Sequence, residues 1–280
     1  MVAVRLRLRV AYDGTGFSGW AVQPARRTVA GELTAALGRL FGPVTGLTVA
    51  GRTDAGVHAT GQVCHLDVPD EQWQRVATAR GTGEPDPTVL VRRLAGVLPP
   101  DVRVPGVEVV DDRFDARFSA LRRHYRYRIT DDPAGPPPLR RFDTLGWPRP
   151  LAHDAMAAAA PGLLGEHDFA AYCRRKPDAT TIRELQRLDV SRAGDGVIGV
   201  AVSADAFCQA MVRSLVGALL AVGEGRRPVD WPASLLTRSD RASEVTVAPA
   251  HGLTLVGVDY PADPAQWSSR DAATRRRRDG

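Results

Sequence analysis

The residues best suited to chemistry lie in a polar, glycine-rich segment, residues 51–62, which reads GRTDAGVHATGQ. Its one carboxylate, Asp54, follows Arg52 by two residues, and apolar stretches flank the segment at 47–50 and 63–68. Loops held between strands commonly present catalytic groups, and glycines permit sharp turns or close approach of a ligand. An isolated Asp-Ala-Gly favours a hairpin turn capped by Asp54. The length and order of the whole segment favour a catalytic loop instead.

A carboxylate that acts as a nucleophile or base must be ionised, and Arg213 is a candidate partner for Asp54. Arg213 interrupts a strongly apolar helix predicted over residues 208–222. Its guanidinium either reaches solvent along its aliphatic stem or is buried and needs an anion. Both alternatives stay open. If Arg213 is buried beside Asp54, its charge lowers the pKa of the Asp54 carboxyl and keeps it ionised.

Two tyrosines, Tyr125 and Tyr127, share one face of a strand predicted over residues 122–129, since side chains two residues apart point the same way. Tyrosines packed on a sheet face are the commoner case. In an enzyme that acts on nucleic acid, such a ring can stack on a base and use its hydroxyl for proton transfer.

Other kinds of site find little support. Cys64 and His65 are neighbours on a strand and point to opposite faces, and no second pair stands at metal-ligand spacing, so no metal is expected. The loop at 12–20 has three glycines but lacks the Lys-Ser/Thr of a phosphate loop, which favours a turn. We expect no cofactor.

The patterns that must position these residues alternate between strands and helices. Arg5, Arg7 and Arg9 alternate with apolar residues in a first strand with one basic face. Thr28 caps a helix that ends near Gly42. The sequence of strand, helix, strand, strand occurs twice. It predicts an α+β fold of two similar halves with mainly antiparallel sheets and a central cleft. The predicted divisions are 1–110 for the half with the aspartate loop, 111–262 for the half with the tyrosine strand and arginine helix, and 263–280 for a basic, disordered tail.

Composition limits the partners and the compartment. The chain has 280 residues, of which 44% are hydrophobic, enough to bury a substantial core. No stretch is apolar for long enough to span a membrane, and the N-terminus lacks a signal-peptide core, so we expect a cytoplasmic protein. Its three cysteines fit reduced thiols better than a disulfide framework. A net charge of +5 favours a polyanionic partner, although five arginines and two aspartates in the last eleven residues supply much of it.

The segment at 50–62 resembles the signature of the TruA-type tRNA pseudouridine synthases, and the resemblance extends over residues 4–260. Further segments match the family pattern in order: 12–20, 114–120, 123–129, 165–169, 211–217 and 252–260. The loop at 78–88 looks like an insertion, and the arginine-rich tail is extra.

The resemblance implies the pseudouridine synthase fold and isomerisation of uridine to pseudouridine at positions 38–40 of the tRNA anticodon stem-loop. It implies that Asp54 is the catalytic aspartate, Tyr125 the active-site tyrosine and Arg213 the ion-pair partner of Asp54. Arg52 would help to flip the target nucleotide, and Leu253 would pack against its base. Arg5 and Arg7 could contact phosphates. The family also implies a homodimer without cofactor or metal.

Two rival functions fit the same residues. One is a non-catalytic tRNA-binding or tRNA-folding protein, and the other is a hydrolase that cleaves nucleosides at C1′. Two roles for Asp54 also stay open, because it could attack C1′ or remove the C2′ proton to give a glycal.

Overall fold

The computed structural model describes residues 3–79, 83–174 and 180–279, with side chains to residue 274. The chain forms two compact units. Unit 1 comprises Met1–Leu121 and Gly257–Gly280, and unit 2 comprises Arg122–Val256. The sequence pattern places this division at residue 110. Residues 111–121 pack within unit 1, where Phe114 is fully buried and the backbone N–H of Ala116 donates to His65 Nδ1 at 3.0 Å.

Unit 1 is built on an antiparallel sheet with the strand order β4-β1-β3, and β2 pairs with β3. The alternation in β1 buries Leu6, Leu8 and Val10 completely, because successive side chains point to opposite faces. The elements are β1 (Ala3–Tyr12), α1 (Val29–Phe41), β2 (Thr48–Val49), β3 (His58–Pro69), α2 (Asp70–Ala77), α3 (Pro87–Val97) and β4 (Val102–Val110).

The predicted helix signals of α1 are confirmed at both ends. Thr28 Oγ1 accepts a hydrogen bond from the N–H of Gly31 at 3.3 Å, and Gly42 ends the helix with φ of 84°. Sequence patterns did not predict α2 and α3. Asp86 begins α3 by accepting from the N–H of Thr88 at 2.8 Å. Part of the expected insertion at 78–88, residues 80–82, lies outside the described residues.

The strands of unit 2 pair antiparallel in the order β5-β9-β8-β7, and the short β6 pairs parallel with β5. Strands β8 and β9 form a hairpin, with Gly196 at φ of 81° in the turn. The elements are β5 (Arg122–Thr130), β6 (Leu145–Gly146), α4 (His153–Ala159), β7 (Gly165–Asp168), β8 (Ile182–Arg192), β9 (Ile198–Ala204), α5 (Met211–Gly223) and α6 (Trp231–Ser234). The predicted α+β class and its mainly antiparallel sheets are confirmed.

The C-terminal part of the chain, where the sequence predicts a basic, disordered tail over 263–280, contains one strand and one helix. Strand β10 (Leu253–Asp259) carries the chain from unit 2 back to unit 1, and helix α7 (Ala265–Asp279) follows. Trp267 is buried in a unit 1 cluster with its ring 5.1 Å from that of Phe114. Thr274 Oγ1 donates to the carbonyl of Phe118 at 3.0 Å. These contacts order a segment whose polar sequence does not predict a helix.

The cysteines also differ from expectation, because Cys173 and Cys208 form a disulfide and Cys64 is the buried free thiol. The pair is 35 residues apart in sequence, and the fold brings the two Cα atoms to 5.6 Å. Burial raises the pKa of the Cys64 thiol. Among the described residues, no helix is long and apolar enough to cross a membrane.

Candidate active site

The loop that carries Asp54 joins β2 to β3 in unit 1. Asp54 is half-buried, while its neighbours Thr53 and Val57 are buried. The N–H of Val57 donates to the Asp54 carbonyl at 3.2 Å, and Gly56 turns the chain with φ of 77°. The carboxylate therefore sits on a tight turn whose two ends are anchored in the core.

The glycine-rich loop at 12–20 is the principal packing partner of the Asp54 turn. The N–H of Trp20 donates to the Thr53 carbonyl at 3.1 Å, and the N–H of Gly56 donates to the Phe17 carbonyl at 3.3 Å. Gly19 has φ of 94°, and a Cβ placed there would lie 2.9 Å from the Thr53 carbonyl oxygen. A Cβ on Gly14 would overlap the carbonyl of Val57.

These contacts change the interpretation of the 12–20 loop. The glycine pattern predicts a simple turn there, whereas in the structure the loop bonds to the backbone on both sides of Asp54 and so clamps the turn. Only glycine allows two backbones to approach so closely. The signal that could have found this role is the presence of two glycine-rich loops, one after β1 and one after β2, whose strands lie in one sheet.

His58 closes one end of the turn. Its Nδ1 lies 3.0 Å from the N–H of Gly14 and 3.1 Å from Asp13 Oδ1. Nδ1 must be unprotonated to accept from Gly14 and protonated to donate to Asp13, so the two interactions are alternatives. In either case the buried ring ties the start of β3 to the 12–20 loop.

In unit 2, Arg213 lies in the first turn of α5 and is half-buried. Its Nε donates to the carbonyl of Ala248 at 2.7 Å, and the N–H of Ala248 donates to the Arg213 carbonyl at 3.0 Å. A Cβ on Gly217, one turn along the helix, would overlap the Thr246 carbonyl. The guanidinium is thus positioned against the 246–248 backbone.

The two tyrosines of β5 differ in their surroundings. Tyr127 is fully buried, and its hydroxyl donates to the carbonyl of Pro249 at 2.8 Å. Burial raises the pKa of Tyr127, and the nearby charge of Arg213 lowers it in part. Tyr125 retains slight exposure, and its ring meets that of Phe207 edge-on at 5.1 Å.

Leu253 is buried at the start of β10, directly after Gly252. A Cβ on Gly252 would lie 2.5 Å from the Tyr127 ring. Tyr127 therefore contacts the 249–252 segment through both its hydroxyl and its ring, and this segment leads into Leu253.

The arginines expected to contact RNA are in different states. Arg52 is exposed. Arg5 makes two 2.7 Å bonds to the Asp67 carboxylate, and Arg7 makes an ion pair of 2.7 Å with Glu108. The Arg5 guanidinium lowers the pKa of the Asp67 carboxyl. The charges of Arg5 and Arg7 are therefore already matched within unit 1.

An open cavity of about 430 Å³ in unit 2 adjoins Ala248 and Pro249. Its lining includes Trp147, Arg149 and Arg226, and all three donate to the buried Glu224 carboxylate. Its basic groups are thus already paired with a carboxylate. Within residues 3–79, 83–174 and 180–279, no three His, Cys, Asp or Glu side chains are grouped as metal ligands.

A family model identifies the class of protein to which the C-terminal part of the chain is similar. Residues 159–261 match the family model described as tRNA pseudouridine synthase, which is a class of isomerases. A crystal structure of a Cbf5-Nop10-Gar1 complex aligns with 77% of this chain and 45% of that chain, at 11% identity and a TM-score of 0.34, a score too low to support a conclusion.

Relatives named tRNA pseudouridine synthase A match nearly the whole chain. The protein from Frankia casuarinae is 59% identical over 97% of this chain and 94% of its own length. Those from Mycobacterium leprae and Corynebacterium glutamicum are each 53% identical, over 97% and 92% of this chain and over 94% and 90% of their own lengths. The chain belongs to the tRNA pseudouridine synthase family, whose members isomerise uridine in tRNA.

Proposed function

We propose that this enzyme converts uridine to pseudouridine at positions 38–40 of the tRNA anticodon stem-loop, with Asp54 as the catalytic carboxylate. The observation that carries this assignment is the position of Asp54, half-buried on a turn whose neighbours Thr53 and Val57 are buried. The clamp by the 12–20 loop holds that turn before substrate binds. Such preorganisation is what a carboxylate needs to act on a single atom of a nucleotide.

The reaction needs only acid, base and nucleophilic groups. The N1–C1′ bond breaks, the uracil rotates, C5 bonds to C1′, and the C5 proton leaves while N1 regains a proton. Nothing is oxidised, and the product is an isomer of the substrate. The ionised Asp54 either attacks C1′ or removes the C2′ proton. A primary isotope effect with 2′-deuterated uridine would favour proton removal, whereas its absence would favour attack at C1′.

Other residues support the reaction in this proposal. Arg213 is the counter-ion of Asp54, Tyr125 stacks on the uracil and serves in the final proton transfer, and Leu253 packs against the base. The half-burial of Arg213 and the small exposed part of Tyr125 suit these roles. Arg52 helps to extrude the nucleotide, a step that costs a few kcal/mol.

The direct test is tritium release from tRNA labelled at C5 of uridine. We expect release by the wild type and none by Asp54→Asn. Asp154→Asn, which changes an exposed aspartate in α4, should match the wild type. Equal release by Asp54→Asn and the wild type would refute the assignment of Asp54. Free uracil among the products would indicate a hydrolase, because an isomerase retains the base in the RNA.

The positions and the counter-ion need separate measurements. Pseudouridine mapping in tRNA from cells without this protein should show loss at positions 38–40, and loss elsewhere would exclude the anticodon assignment. Arg213→Ala should abolish turnover and leave most tRNA affinity intact. Full activity of that variant would show that Arg213 only packs against the 246–248 segment.

RNA contacts can be separated by salt dependence. Arg52→Ala should weaken tRNA binding and reduce the slope of log K against log salt by about 1, as loss of one phosphate contact does. Arg5→Ala and Arg7→Ala should change the slope less, because each arginine is already paired with a carboxylate. An unchanged slope in Arg52→Ala together with a reduced one in Arg5→Ala would reverse this assignment.

We also propose a cytoplasmic homodimer. The tRNA substrate supports the compartment, and the family resemblance supports the dimer. Light scattering of the purified full chain should give twice the monomer mass of 30.1 kDa, and a monomer mass would exclude the dimer.

A further inference from the structure

Beneath the Asp54 loop lies a buried chain of polar side chains that the proposed chemistry does not use. Tyr12 Oη and Thr53 Oγ1 are 2.7 Å apart, and Gln62 Nε2 lies 3.4 Å from Tyr12 Oη. Gln62 Nε2 also donates to the carbonyl of Gly51 at 2.8 Å. Tyr12, Thr53 and Gln62 are 5%, 6% and 0% exposed, so these bonds are shielded from water.

One backbone donor sets the orientation of the Gln62 amide. The N–H of Val63 donates to Gln62 Oε1 at 3.1 Å, which fixes the amide so that Nε2 faces Tyr12 and Gly51. Gln62 Nε2 therefore donates to Tyr12 Oη, and either hydroxyl can supply the proton of the bond between Tyr12 and Thr53. Gln62, Tyr12 and Thr53 form a connected series of hydrogen bonds.

The series stays intact over the working range of pH. Burial raises the pKa of Tyr12 to about 12, and the hydrogen bonds to Thr53 and Gln62 oppose this only in part. The tyrosine hydroxyl is therefore protonated at neutral pH. No member of the series carries a charge, so salt does not screen it.

From this arrangement we infer that Tyr12 and Gln62 are positioning residues for Asp54. They hold Thr53, which immediately precedes Asp54, through its side chain, and they hold Gly51 through its carbonyl. The inference rests on the proposed catalytic role of Asp54. Misplacement of a reacting group by about 1 Å can reduce a rate roughly 100-fold, so the loss of these bonds should act on the rate of reaction.

A comparison within the chain separates positioning from ordinary packing. Tyr172 is also fully buried, and its hydroxyl donates to the backbone carbonyl of Pro232 in unit 2. Tyr12 instead bonds to a side chain next to the proposed catalytic residue. Tyr172→Phe is therefore a matched control for Tyr12→Phe, since both variants lose one buried hydroxyl and keep the ring.

The experiment measures kcat and KM for tritium release from C5-labelled tRNA, with the melting temperature of each full-length variant. We expect Tyr12→Phe to lower kcat by about 10- to 100-fold, with KM within about twofold of the wild type. Tyr172→Phe should lower the melting temperature by at least as much as Tyr12→Phe and leave kcat unchanged. A wild-type kcat in Tyr12→Phe, or an equal reduction of kcat in Tyr12→Phe and Tyr172→Phe, would overturn the inference.

A second set tests the same bond from the other side and serves if Tyr12→Phe fails to fold. Thr53→Val removes the oxygen at nearly constant shape and should lower kcat, whereas Thr53→Ser keeps the oxygen and should recover most of it. The double variant Tyr12→Phe/Thr53→Val should have a kcat close to that of the slower single variant, because both substitutions remove the same hydrogen bond between residues 12 and 53. If the fold losses in kcat of the two single variants multiply in the double variant, the inference is overturned. Inactivity of the wild type would instead defeat the proposed function itself.

Discussion

The Asp54 loop of unit 1 and the 246–252 segment of unit 2 are each held by a buried tyrosine, but through different partners. In unit 1, Tyr12 bonds to the side chain of Thr53. In unit 2, Tyr127 and Arg213 donate to the backbone carbonyls of Pro249 and Ala248. Each region is also contacted by a glycine at which a Cβ would overlap a backbone carbonyl, Gly14 at the Asp54 loop and Gly217 at the 246–252 segment.

The difference concerns which side chains each region depends on. A backbone carbonyl is present whatever the residue, so the 246–252 segment depends on its two donors and little on its own side chains. The Asp54 loop depends on the identities of Tyr12, Thr53 and Gln62 together. Removing a donor in unit 2 leaves a part-buried backbone carbonyl without its protein partner. Removing a donor from the unit 1 series leaves side chains that can partly rearrange to form other hydrogen bonds.

The largest expected effect comes from the two glycines that pack against these regions. Gly14→Ala and Gly217→Ala should each destabilise the protein by about 3 kcal/mol, because the new Cβ displaces a backbone carbonyl. Gly38→Ala in α1 meets no atom within 4 Å and should gain up to about 1 kcal/mol of helix stability. Urea unfolding compares the three variants. If Gly14→Ala is as stable to urea as Gly38→Ala, the 12–20 loop packs less tightly on the Asp54 turn than described.

The next effect tests the contrast between the two tyrosines. Tyr127→Phe should lower the free energy of unfolding by about 1 kcal/mol, because the part-buried hydrogen bond from the Tyr127 hydroxyl to the Pro249 carbonyl is lost. Tyr12→Phe should cost less, since Gln62 still donates to Gly51. Denaturant curves of both variants provide the measurement, and the reverse order would break the proposed distinction.

A smaller effect appears in acid and belongs to unit 2. The hydrogen-bonded Arg192 guanidinium lowers the pKa of Asp131 to about 2. A depressed folded-state pKa stabilises the protein above the ordinary value, and this contribution is lost as pH falls from about 4 to about 2. Asp131→Asn should therefore be less stable than the wild type by about 1 kcal/mol near neutrality, a figure reduced for solvent screening. The two unfolding curves should converge toward pH 2, and parallel curves would contradict the pairing.

In unit 1, the corresponding loss of stability should occur at alkaline pH. The pKa of Tyr12 is raised to about 12 by burial, so its contribution is complete below the ordinary pKa near 10 and is lost as pH rises toward 12. The difference in stability between wild type and Tyr12→Phe should shrink over that alkaline range. A constant difference would mean that Tyr12 is not protected as the structure indicates.

The smallest effect comes from a hydroxyl beside Arg213. Ser214 Oγ is buried and, within the described residues, has no hydrogen-bond partner. Ser214→Ala should be neutral or stabilising by up to about 1 kcal/mol. Ser119→Ala is the matched control, because Ser119 Oγ is also buried but accepts from the N–H of Asp115 at 3.0 Å. A clear loss of stability in Ser214→Ala would reveal a partner for its hydroxyl.

Local patterns predicted much of the secondary structure. Alternating apolar residues predicted β1 and β5, and Thr28 with Gly42 predicted the limits of α1. These signals act over a few residues and survive any tertiary arrangement. The helices α2 and α3 and the ordered α7 were not predicted. The burial of Trp267 against Phe114, more than 150 residues away, helps to order α7.

The sequence by itself determined the family and the loop that carries Asp54, because the order of residues 50–62 and its companion segments is specific enough to recognise. Only the tertiary structure decided what holds that loop. The clamp by residues 12–20, the hydrogen bonds of Tyr12 with Thr53 and Gln62, and the Cys173–Cys208 disulfide join residues far apart in the chain. The same holds for the pairing of Arg5 with Asp67, which a basic strand pattern does not reveal. Residue types show what each group can do, whereas long-range packing decides which partner it meets.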